Sequence, residues 1–140
     1  MTGKFMISAE TPPEVLDWGK LRWMSNPTST GAQSLTVIEV NITPGKGHDF
    51  HKHPDQEEVI YVISGEVEQW LDREMRILGP GDSVFIGADV VHASFNVGDS
   101  DAQLLAILGP CVGDDGYVLV DVAGKAPWNG LRQVQDPSGR

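Results

Sequence analysis

Little in this 140-residue chain supports covalent cross-linking, membrane insertion or nucleic-acid binding. A single cysteine, Cys111, excludes an intrachain disulfide and fits a reducing compartment, so a cytoplasmic location is expected. The longest uninterrupted apolar run, Leu104 to Leu108, is far too short to cross a bilayer. The start, Met1-Thr2-Gly3-Lys4-Phe5-Met6, lacks the basic, apolar, small-residue order of a secretory signal. Basic residues are scarce: ten Lys and Arg against twenty Asp and Glu give a formal net charge of −10, with no basic run or stripe. Phosphate backbones and anionic membrane surfaces call for concentrated positive charge, so neither nucleic acid nor membrane is expected as a partner. The acidity serves solubility, and a bound divalent metal could still create a local positive site. Helical periodicity is also missing, apart from at most one turn over Pro13 to Trp18.

What the chain does contain is alternation. Residues 34–43, 58–64, 66–72, 75–78, 83–86, 91–97, 102–109 and 117–121 read as short strands with a period of two. Pro44-Gly45, Ser64-Gly65, Gly79-Pro80-Gly81, Gly98-Asp99 and Gly109-Pro110 separate them. Many short strands with 16 Gly and 9 Pro predict an all-β sandwich or barrel with little helix. The length suits one domain, able to bury roughly two-thirds of its unfolded surface. Residues 1–33 form an N-terminal extension, with an outer strand pair expected around Gly19 between Val15 and Met24 and buried area from Trp18 and Trp23. Residues 34–122 form the barrel, and 123–140 a tail anchored by Trp128 and Leu131, with mobility expected over 136–140. Asn26 to Gln33 reads as a polar loop, and no internal repeat is present.

Strand parity assigns faces. Glu58, Ile60 and Val62 share one side of residues 58–63, while Val59, Tyr61 and Ile63 share the other, which is also apolar. A strand apolar on both sides needs two covers, here the barrel interior and a second sheet or second subunit, so a homodimer is expected. In residues 66–72, Val67, Gln69 and Leu71 point inward and Glu66, Glu68, Trp70 and Asp72 outward, with Trp70 and Tyr61 read as interface packing. An inward Gln69 needs a partner, because an unpaired buried amide costs about 1–3 kcal/mol.

Three of the four histidines fall within residues 48–53. His51 and His53 are two apart, so in an extended segment both imidazoles face the same way. With Glu58 on the next strand and His92 returning from farther along, they form a candidate mononuclear metal site. His48 precedes the strand in a Gly-rich loop and is expected to be solvent-exposed there. Glu57 faces away from Glu58, Asn96 satisfies a turn, and Cys111 is an inert buried thiol.

The run Gly45, five residues, His51-Lys52-His53, four residues, Glu58, six residues, Gly65 resembles the first conserved motif of the cupin superfamily. Gly81, five residues, Gly87-Ala88-Asp89-Val90-Val91-His92, three residues, Asn96 resembles the second, with Gly87 where the family usually has proline and Asp89 where it usually has glycine. Asp tolerates a left-handed turn at modest cost, so the departures bear on the turn and not on the ligand. The resemblance implies a single cupin-type jelly-roll β-barrel holding one divalent transition metal (Fe, Mn, Ni, Zn, Co or Cu) on His51, His53, Glu58 and His92. It implies a metalloenzyme of oxygenase, isomerase or lyase type acting on a small oxygenated metabolite. The alternative is a non-catalytic module that binds a sugar or organic acid. Catalytic candidates beyond the ligands are thin: His48 as acid or base if it swings inward, and the inward Gln69 and Ser94.

Overall fold

The computed structural model describes residues 2–132, so the expectation for residues 136–140 lies outside the described residues. The strands are β1 (Glu14–Leu16), β2 (Gly19–Ser25), β3 (Thr36–Ile42), β4 (Gly47–Lys52), β5 (Glu57–Ser64), β6 (Val67–Leu71), β7 (Glu74–Leu78), β8 (Ser83–Ile86), β9 (His92–Asn96), β10 (Ala102–Gly109) and β11 (Val120–Asp121). Two four-residue helices, α1 (Pro27–Thr30) and α2 (Trp128–Leu131), lie outside the sheets.

The antiparallel pairings of β3 to β10 are nested: β3 with β10, β4 with β9, β5 with β8 and β6 with β7. This is a hairpin folded back on itself, the jelly roll expected from the sequence. It yields a six-stranded sheet, β1-β2-β3-β10-β5-β8, and a five-stranded sheet, β11-β4-β9-β6-β7. Between them lies the main core, with Ile38, Val40, Ile42, Ile60, Val62 and Leu104 among its buried side chains. At Gly65, between β5 and β6, φ is +83° and a Cβ would stand 2.7 Å from the Ala102 Cα, so only glycine fits that corner. Asp89 does adopt the left-handed conformation, φ 67°, in the turn before β9.

Four expectations are corrected. Pro13 to Trp18 forms no helical turn; Glu14–Leu16 pairs with β2 as a hairpin. The polar loop 26–33 holds α1 instead, because Asn26 caps Ser29 N–H at 2.8 Å and Pro27 is preset for a first helical turn. The strand over 117–121 shortens to Val120–Asp121. Trp70 is not an interface residue. It is buried in a second core outside the five-stranded sheet, with Phe50, Ala93, Phe95 and Val122, over which Trp128 and Leu131 of the same chain pack. By contrast the outer face of β5 is open in the single chain: Val59, Tyr61 and Ile63 are 36%, 42% and 41% exposed.

Candidate metal centre

His48 and His51 are three residues apart, and strict alternation would put them on opposite faces. A bulge in β4 changes this. His48 pairs with Ser94 and His51 with His92, so three steps on β4 oppose two on β9. His48 is therefore a half-buried strand residue and not an exposed loop residue, which corrects the reading made from its glycine-rich surroundings. Its ring stacks between Trp18, 4.8 Å away, and His51, 3.7 Å away. Phe50, at the bulge, turns outward into the second core.

His51, His53 and His92 are buried, and their ligand nitrogens all lie within 4.8 Å of one another. The His92 ring centre is 4.3 Å from that of His51 and 5.3 Å from that of His53. Each Nδ1 meets a backbone carbonyl: Asp49 at 2.6 Å for His51, Val118 at 2.9 Å for His53 and Val90 at 3.0 Å for His92. A carbonyl can only accept, so each Nδ1 donates its proton and each Nε2 keeps its lone pair. Glu58, from the opposite sheet, brings Oε1 to 3.0 Å from His92 Nε2 and 3.4 Å from His53 Nε2. Despite that approach, Glu58 Oε1 and His92 Nε2 make no hydrogen bond. Buried lone pairs aimed at one space repel unless a cation lies between them, so these donors fit a divalent transition metal. Of the sequence-predicted residues, His51, His53 and His92 come together, and Glu58 approaches His53 and His92.

Gln56, Tyr117 and Trp18 were missed as site residues. Gln56 is buried, donates to the carbonyls of Pro110 at 2.7 Å and Gly116 at 2.9 Å, and accepts from Val118 N–H at 3.2 Å. It thereby fixes the segment whose Val118 carbonyl orients His53. Only a lone amide near the motif hinted at this in the sequence. Gln56→Leu orphans the Pro110 carbonyl and the Val118 N–H, while the Gly116 carbonyl keeps Thr36 Oγ1 at 2.7 Å, so a loss of about 2 kcal/mol or more is expected in urea unfolding, together with weaker metal uptake. Tyr117, half-buried on the same segment, tilts over His53 at 5.2 Å. Burial, and then the nearby carboxylates of Glu14, Glu58 and Asp115, push its hydroxyl up to about 12. A cavity opens beside the cluster, walled on the facing sheet by Leu21, Ile38, Val40, Ile60, Leu104 and Leu108.

Burial, reinforced by neighbouring imidazoles, holds His51 well below the usual histidine range and His48 at about 3. Burial also lowers His53, opposed in part by Glu58. The sign follows. Near pH 7 these rings are neutral in both folded and unfolded chains, but below about 6.5 the unfolded chain takes up protons first. Metal-free protein is therefore expected to lose stability as pH falls below about 6.5, and thermal melts from pH 7 to 5 check this. A flat profile would contradict the burial of neutral imidazoles.

Residues 38–108 match the family model described as a cupin domain. Among curated relatives, protein SchB of Streptomyces halstedii is 36% identical over 101 residues, covering 72% of this chain and 73% of that protein. Polyketide synthase CurC of Streptomyces cyaneus is 31% identical over 134 residues, covering 94% of this chain and 87% of that protein. The solved structure of KdgF from Halomonas sp. superposes with a TM-score of 0.72 at 23% identity, covering 81% of this chain and 98% of that one. The nested strand pairing, the converging imidazoles and these matches lead to one assignment: this chain belongs to the cupin family.

Proposed function

We propose that the protein is a metalloenzyme that binds one divalent transition metal through His51, His53, Glu58 and His92 and acts on a small oxygenated metabolite. One observation carries the reading: three buried histidines, pinned at Nδ1 by backbone carbonyls, gather their ligand nitrogens within 4.8 Å of one another, and two of them set Nε2 against a buried Glu58 oxygen that has no hydrogen-bond partner. A metal held there would supply Lewis acidity or redox chemistry beside the cavity. The chain's own residues hold it, exclude water with the apolar wall and orient the ligand. The similarity to a protein named as a polyketide synthase supports a polyketide-type substrate. Elemental analysis of purified protein tests the proposal: about one equivalent of metal per chain is expected, and none in a His51→Ala, His53→Ala variant. Wild-type protein that stays metal-free after exposure to Mn, Fe, Co, Ni, Cu and Zn salts would refute it.

A non-catalytic binding protein is the second reading. It is favoured by the absence, among the described lining residues, of any carboxylate besides Glu58 to serve as a base. Turnover assays on a metal-loaded sample separate the two. The open apolar face of β5 supports a homodimer, for which sedimentation is expected to give twice the chain mass, whereas a monomer at micromolar concentration would remove it.

A further inference from the structure

Besides the metal-site residues, His48 and Tyr117, the cavity has one more polar side chain in its lining, and the polarity of that one is fixed. Ser94, on β9, is buried and lines the cavity. Its cross-strand neighbours are His48 on β4 and Gln69 on β6. Gln69 is buried as well, and its Nε2 donates to the Trp70 carbonyl at 3.1 Å. Flipping the amide would set oxygen against oxygen, so Oε1 is the atom that faces Ser94. The Ser94 Oγ lies 2.6 Å from that Oε1. An amide oxygen has no proton to offer, so the single Ser94 proton is committed to Gln69. Among the described residues none donates to Ser94 Oγ, whose remaining lone pairs are left for the cavity.

We propose that Ser94 is a specificity-determining residue of acceptor-only character, and that the cavity selects an uncharged, largely apolar ligand carrying a hydroxyl group at that point. This rests on reading the cavity as the ligand site of the proposed function. The ligand class follows from the walls. Leu21, Val40 and Leu104 face Ser94's sheet with apolar surface, and no Lys or Arg is among the described lining residues. A carboxylate or phosphate away from the metal meets no cationic side chain there, only the neutral donors His48 and Tyr117. A carbonyl or ether oxygen beside Ser94 would oppose its lone pairs, whereas a hydroxyl donates to them. Gln69, which the sequence offered as a catalytic candidate, is thus a positioning residue that sets the hydroxyl rotor of Ser94.

The test is a fluorescence titration of zinc-saturated protein with 2-naphthol and with 2-methoxynaphthalene, which differ in having or lacking the donor. Wild type is expected to bind the naphthol about ten-fold more tightly, the effect of one buried hydrogen bond. In Ser94→Ala the two affinities should come within about two-fold. Gln69→Leu keeps the serine but frees its proton, so it should bind the methoxy compound more tightly than wild type does. Equal binding by wild type, no binding of either probe, a preference that survives in Ser94→Ala, or an unchanged ratio in Gln69→Leu would each overturn the proposal. Zinc content of the same samples reads the metal centre separately: low zinc with the preference intact sinks the centre and not the role of Ser94.

Discussion

Glu58→Gln is expected to fold normally and to lose divalent-metal affinity by more than about 100-fold, beyond the loss usual for residues that merely support a ligand. Glu58 is the one member of the cluster on the six-stranded sheet; the histidines come from β4, its end and β9 of the other. A cation there would tie the two sheets together across the core. In metal-free protein the arrangement gives no such benefit, because Glu58 Oε1 and His92 Nε2 approach without bonding. The amide keeps the shape and removes the charge, so metal-free stability should be unchanged or slightly higher. Metal at 100 times its dissociation constant stabilises a folded protein by about 2.7 kcal/mol. Thermal melts with and without metal should show that gain in wild type and less than about 0.4 kcal/mol of it in Glu58→Gln at the same metal concentration. Equal gains in both would place the metal elsewhere.

Trp70→Ala should lower stability by about 3–5 kcal/mol in urea unfolding, with oligomeric state unchanged. The indole is 4% exposed, packs edge-on against Phe50 at 5.6 Å, and donates from Nε1 to Glu68 Oε2 at 2.7 Å. Glu68 in turn accepts from Arg132 Nε at 2.6 Å. Truncation therefore empties the second core and leaves one partner fewer for a buried carboxylate. An intersubunit anchor would behave differently: its loss would yield a stable monomer.

That contrast shows where strand parity succeeds and where it fails. Alternation placed Glu58, Ile60 and Val62 inward and Gln69 inward, because a period of two is a local property of extended backbone. It also placed Trp70 outward from the barrel, correctly as to side, but parity carries no information on what covers that side. The cover comes from Val122, Trp128 and Leu131, more than fifty residues away in sequence. That His51, His53 and His92 come together, with Glu58 approaching two of them, was legible from motif spacing. His48 was not, since a bulge adds one residue to β4 and shifts parity at that point, which no alternation count detects. The Gln56 brace was hidden for a similar reason: its partners are backbone groups of Pro110, Gly116 and Val118, which have no side-chain signature.

The most direct measurement of the central claim is X-ray absorption at the edge of cobalt loaded into the protein. The account predicts three imidazole nitrogens and carboxylate oxygen at roughly 2.0–2.2 Å. A first shell with fewer than three imidazoles, or one containing sulfur, would contradict it.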